Sequence, residues 1–101
     1  MDKFTYHICF SKKGWIRYIS HLDLLRFFNR ALRRTGLKFY LTKGFNPRPI
    51  VRIKQALKLG VEAENIDAEI VLEEHIRPDI VKSMFAKEMP EGVDLNMVML
   101  S

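Results

Sequence analysis

Cysteine is almost missing from this chain. Among 101 residues there is one, Cys9, which excludes an intrachain disulfide framework and a cysteine-held zinc or iron–sulfur centre. A lone thiol fits a reducing cytosol, so a cytoplasmic location is expected. Long hydrophobic runs are missing as well. No apolar stretch approaches the roughly 20 residues of a membrane span, and Met1-Asp2-Lys3 runs into an alternating segment rather than a signal peptide. Glycine and proline number five and four and follow no period, which excludes a fibrous repeat. The phosphate-cradling glycine loops of nucleotide enzymes are absent, with neither a Gly-x-Gly-x-x-Gly nor a Walker pattern. His7, His21 and His75 fall on different elements, none at metal-ligand spacing with another histidine or with Cys9. No catalytic residue, metal or cofactor is therefore expected.

The scarcest commodity is acid in the first sixty residues. There Asp2 and Asp23 stand against fourteen lysines and arginines, a balance of +12. Residues 61–101 carry three cations and ten anions, a balance of −7. Such asymmetry points to a polyanion-binding first half. The alternative is that the two halves neutralise each other across one small domain. What remains is ordinary globular composition, 48% hydrophobic and 29% charged. A chain of this length is expected to form a single domain over 1–101, burying roughly 65% of its unfolded surface.

Periodicity sets the elements. Phe4, Tyr6, Ile8 and Phe10 alternate with Thr5, His7, Cys9 and Ser11, which predicts a half-buried strand. Lys12-Lys13-Gly14 reads as a polar turn, and Trp15 to Ile19 as a second strand or rim segment. Ser20 is a helix cap with Asp23 three residues on, near the positive end of the helix dipole. The helix is expected over 21–35, stopped by Gly36 at the left-handed position. Its apolar arc is Leu24, Leu25, Phe27, Phe28, Ala31 and Leu32. Arg26, Arg30 and Arg33 share the opposite arc, with Arg34 at its edge. Leu37 to Leu41 is short and extended. Strands are predicted at 50–57, with Val51, Ile53 and Leu57 inward, at 66–72, and at 93–99, with Val93, Leu95, Met97 and Met99 on one face. Pro78 opens a second helix over about 78–89, its apolar side Ile80, Val81, Met84, Phe85 and Met89. The order strand, helix, strand, strand, helix, strand predicts an α+β fold. It is a ferredoxin-like βαββαβ sandwich, an antiparallel sheet with two helices on one face.

Two motifs carry chemistry. Ser20, His21 and Asp23 stand at a helix start, whose free N–H groups suit an anion, or where they simply cap. Gly44-Phe45-Asn46-Pro47-Arg48-Pro49 is a loop stiffened by two prolines. It presents Phe45, Asn46 and Arg48 with little entropy left to lose. Phe45 is either a stacking platform for a base or a plug for the core. The two motifs are expected to meet, with Ser20, His21 and Asp23 on one wall and Asn46 and Arg48 on the other, or else to tie the loop to the helix by hydrogen bonds. The candidate phosphate contacts are Arg17, Arg26, Arg30, Arg33, Arg34, Lys43, Arg48, Arg52 and Lys54.

The run Phe10-Ser11-Lys12-Lys13-Gly14 is followed by Ile19-Ser20-His21-Leu22-Asp23-Leu24. Then come Arg30-Ala31-Leu32-Arg33-Arg34-Thr35-Gly36 and the Gly44-Phe45-Asn46-Pro47 loop. This series resembles the radical-SAM-linked domain family over residues 4–74, and Leu59-Gly60-Val61-Glu62 is similar to that family's turn before an acidic strand. The resemblance implies a bacterial module fused to or encoded beside radical SAM proteins, in a setting of RNA processing and the ribosome. This chain would be a short or partial version of the domain. It departs from the family in lacking a proline-rich stretch over Lys54 to Leu59. The three-cysteine motif of radical SAM enzymes is absent, so any such cluster belongs to a partner. The expectation is a non-catalytic module that binds RNA (tRNA or rRNA) or presents substrate, acting with a radical SAM protein. The alternatives are a protein–protein adaptor with a basic face for an acidic partner and, behind it, a small enzyme using His21 and Asp23 on an anionic substrate.

Overall fold

The computed structural model describes residues 3–55 and 57–101. Its four strands are β1 (Phe4–Lys12), β2 (Val51–Ile53), β3 (Ala63–Leu72) and β4 (Val93–Leu100), in the order β2-β3-β1-β4. Every neighbouring pair is antiparallel. Helix α1 (His21–Thr35) links β1 to β2 past β3, and α2 (Pro78–Ala86) links β3 to β4 past β1. Each crossover skips one strand, which makes the split βαβ pair of a ferredoxin-like α+β sandwich. No helix among the described residues is long and apolar enough to cross a membrane.

The alternation of β1 turns Tyr6, Ile8 and Phe10 onto the helix side, where all three are buried with Ile66, Ala68, Ile70 and Leu72 of β3. Leu24, Phe28, Ala31 and Leu32 of α1 and Val81 and Phe85 of α2 close that core. Phe28 is its keystone. Its ring lies edge-on to Phe10 at 5.0 Å and tilted against Phe85 at 5.8 Å, each pair adding about 0.5–1.5 kcal/mol beyond area burial. The buried Tyr6 hydroxyl donates to the Ile76 carbonyl (2.6 Å) and accepts from the Ile76 N–H (2.8 Å), anchoring the entry to α2.

The helix signals act as read. Ser20 Oγ accepts the Asp23 N–H at 3.1 Å, and Gly36 ends α1 at φ 77°. Helix α2 stops at Ala86, short of Met89. Its last turn tightens into i→i−3 bonds from Glu88 to Phe85 and from Met89 to Ala86 ahead of Pro90, because the residue before a proline resists the α region. Ile80 lies on the solvent side of α2 rather than in its apolar stripe.

Four segments correct the sequence reading. Residues Gly14–Tyr18 are a short 3-10 helix, not a strand, and only Ile16 of it is buried. Gly92 comes so close to this turn that a Cβ there would collide with the Lys13 carbonyl and the Ile16 side chain, and the Lys13 N–H donates to Gly92 O at 2.8 Å. Lys12 belongs to β1 instead of the turn. Alternation carries it inward, where it is 1% exposed with its Nζ on the Lys58 carbonyl at 3.1 Å. Burial pushes its amine below the ordinary value. The strand expected over 50–57 shrinks to Val51–Ile53. Beyond the Lys54 bond to the Asp67 carbonyl, the Gln55 side chain replaces the backbone, accepting from Asp67 N–H at 2.9 Å and donating to Asn65 O at 3.4 Å; Ala56 lies outside the described residues. In β4 the register shifts after Phe10↔Leu95, so Cys9 opposes Met97 and Asn96 is left over. This bulge turns Met97 and Met99 outward, 46% and 50% exposed, and brings Val98 inward. Lys82 Nζ donates to the Asn96 carbonyl at 3.0 Å.

Candidate functional site

The edge partner of β3 is a strand broken in two. Phe39 bridges Leu72 and the Tyr40 N–H donates to Val71 O; pairing then resumes with Val51 opposite Ile70. The ten residues between, 41–50, leave the sheet as a closed excursion. Its base is held by the Leu41–Pro49 bridge, by Thr42 N–H to Arg48 O at 2.8 Å and by Arg48 N–H to Thr42 Oγ1 at 3.2 Å. Pro49 is buried at that base, while Lys43 to Arg48 stand in solvent. The Phe45 ring at the tip is 104% exposed, so it plugs nothing. A fully exposed aromatic on a proline-braced loop offers both ring faces to a flat partner.

Between the base of the excursion and α1 runs a groove of about 360 Å³. Helix residues Leu22, Leu25, Arg26 and Asn29 form one wall, spaced i, i+3, i+4, i+7; Thr42, Arg48, Pro49, Ile50, Val51 and Arg52 form the other. Asn29 Oδ1 is shielded from solvent and has no hydrogen-bond partner among the described residues. Neither Asn29 nor Thr42 stood out in the sequence. The signal was an amide at the end of a half-apolar stripe, 22-25-26-29, offset from the core stripe.

The candidate cations divide into two groups. Arg17 meets Glu62 (3.5 Å) and stacks over Tyr18, Arg26 meets Asp23 (3.1 Å), Arg34 meets Glu88 (2.9 Å) and Lys54 meets Glu69 (3.7 Å). Arg34 also donates to the Glu88 carbonyl. Lys13 meets Glu64 at 2.8 Å, which raises the lysine's pKa and lowers the glutamate's, chiefly through their hydrogen bond. The acidic half thus neutralises part of the basic half. Among the described residues, Arg30, Arg33, Lys43, Arg48 and Arg52 have no acid within ion-pair distance. Arg30 instead lies over the Phe27 ring.

The helix-start motif is spent locally. Ser20 caps, and Asp23 holds Arg26. His21 lines a neighbouring groove with Ile53, Lys54, Gln55 and Leu57. The helix wall of the groove is Leu22, Leu25, Arg26 and Asn29 rather than Ser20, His21 and Asp23; on the loop side Arg48 lines it and Asn46 does not. Gly44 (φ 128°) and Pro47 shape the exposed tip. On the outer sheet face His7 Nδ1 is 3.5 Å from Glu69 and the Cys9 thiol is 3.8 Å from Asn65 Oδ1, its pKa raised by burial and by Asp67. Among the described residues no group of three histidine, cysteine, aspartate or glutamate side chains is placed to hold a metal ion.

Fold and groove together define a small ferredoxin-like α+β domain with an arginine-lined cleft at a broken sheet edge. The family model for an uncharacterized protein conserved in bacteria (DUF2344) matches residues 5–100, and the chain belongs to that family. No curated protein and no solved structure matches it.

Proposed function

We propose that this domain is a non-catalytic RNA-binding module of the bacterial cytoplasm that presents RNA to a radical SAM protein. The observation that carries the RNA reading is the excursion 41–50. It sets a fully exposed Phe45 beside an arginine-lined groove and a helix face whose Arg30 and Arg33 lack acidic partners among the described residues. Arginine binds phosphate, an exposed ring stacks on unpaired bases, and the two together suit single-stranded RNA. The radical SAM partner rests on the motif resemblance of residues 4–74.

Binding of a short single-stranded RNA, followed by fluorescence anisotropy across a salt series, tests this. The log–log slope is expected near −0.7 for each phosphate contacted. Replacing Arg26, Arg30 and Arg33 with glutamate should weaken binding to all sequences alike, since phosphate contacts carry no sequence information. Binding indifferent to salt and to the triple change points instead to the adaptor reading.

A further inference from the structure

We propose that the open face of the sheet binds one copper(I) ion, held by the Cys9 thiolate, the His7 imidazole and the thioethers of Met97 and Met99. The register puts these four residues together. His7 stands directly opposite Met99, and Cys9 directly opposite Met97, across the β1–β4 pair. Directly opposed residues share a face, with Cβ atoms about 4.5–5.5 Å apart. Along each strand the two donors are two residues apart, about 6.8 Å. The four mark the corners of a rectangle that flexible methionine side chains can close over an ion. The face is the one turned away from the helices. Cys9 takes no part in the core, whereas Ile8 and Val98, which lie between the donors on each strand, do.

The bulge at Asn96 makes this arrangement. Uninterrupted alternation from the buried Val93 and Leu95 would carry Met97 and Met99 inward. The extra residue sets both on the open face instead, as bulges re-aim the side chains beyond them. Cys9, 9% exposed, forms the floor. Thiolate and thioether sulfur are soft donors that select copper(I), whereas carboxylates and water suit harder ions. Three sulfurs and one imidazole nitrogen make such a set. Glu69 supports it from β3. His7 Nδ1 is 3.5 Å from that carboxylate, which favours the proton on Nδ1 and leaves Nε2 as the ligating nitrogen. Asp67, opposite Cys9 on β3, has no cation within ion-pair distance among the described residues. Its charge favours a cation at the sulfur. The thiol's present partner, Asn65 Oδ1 at 3.8 Å, is a weak one that the ion replaces. On binding, the Cys9 S–H bond breaks, a sulfur–copper bond forms and the proton goes to solvent; copper stays in the +1 state throughout.

The test offers the whole chain copper(I) as its bicinchoninate complex, without oxygen and with the methionine methyls ¹³C-labelled for NMR. One ion is expected to transfer per chain, bleaching the complex. The methyls of Met97 and Met99 and the ring of His7 should shift, with Met84, Met89, His21 and His75 unmoved. Met97 and Met99 are 46% and 50% exposed, so replacing both with leucine should keep the fold. That double change should weaken copper(I) binding at least tenfold although Cys9 remains, and Cys9→Ser should weaken it further. Affinity untouched by the leucine changes means an adduct of one thiol alone and overturns the inference. Failure to draw copper(I) from the complex, one ion shared by two chains, or equal shifts at Met84 and Met89 each overturns it as well. If the Cys9 variant does not fold, the wild-type methyl shifts and the leucine variant decide the matter. The outcome is independent of whether the chain binds RNA.

Discussion

At one edge of the sheet β4 runs for eight residues beside β1; at the other, β2 runs for three and resumes a strand interrupted by ten residues of loop. Both edges expose strand to solvent, and an open edge invites pairing with other chains. The β4 edge is closed to that by a bulge at Asn96 with Lys82 seated on its carbonyl. The β2 edge is broken by Pro47 and Pro49, and Gln55 finishes the pairing with its side chain. The first solution is local. The second leaves a cleft, because the chain departs from the sheet after Tyr40 and returns at Val51, and the base of that excursion and α1 line one groove between them. The lesson is that the candidate site lies where strand pairing fails, and the core lies where it continues.

The largest effect expected separates the two faces of β4 beyond the bulge. Val98→Asp places a carboxylate in the core and should cost on the order of 3–5 kcal/mol, whereas Met97→Asp should stay within about 0.5 kcal/mol. Urea denaturation of both variants checks this; the reverse ranking would restore the uninterrupted alternation expected over 93–99. Next comes the loop edge. Phe45→Ala should leave the urea midpoint unchanged and lower affinity for single-stranded RNA about tenfold, within the ~1–3 kcal/mol of one stacked base. A loss of stability without a loss of affinity would make the tip a structural element.

The smallest effect belongs between the edges, at the end of central strand β1. Lys12→Met removes a buried amine while keeping its length, and should stabilise the domain by on the order of 1 kcal/mol at pH 7. Burial holds the Lys12 amine below 10.5, so the unfolded chain binds that proton more tightly than the folded one. Wild-type stability therefore gains from this group as pH rises through the window that ends at 10.5, and the variant lacks the gain. Denaturation midpoints at pH 7 and pH 10 measure the difference.

Much of the fold could be read directly. The Ser20 cap and Gly36 stop bounded α1 correctly because capping is decided by neighbours in the chain. The alternation of Phe4, Tyr6, Ile8 and Phe10 named the inner face of β1 because strand geometry repeats every two residues. The site was legible in part. The stiff loop and the arginine face were visible as types, but their sharing of one groove, with Leu22, Arg26 and Asn29 opposite Thr42 and Arg48, was not. Nor was the pairing of Arg34 with Glu88, 54 residues away.

By itself, then, the sequence determined the order of elements, the inner face of β1, the core stripe of α1 and the uneven placement of charge, all consequences of short-range periodicity and composition. Tertiary structure decided most of which cations keep their charge open to solvent, since apart from Asp23 on Arg26 the acids that neutralise the first half arrive in space from the second. It also decided the bulge at Asn96 and the depth of Lys12, because register is settled between strands and not within one. And it made the groove, whose two walls belong to segments that touch only because β2 resumes where Tyr40 left the sheet.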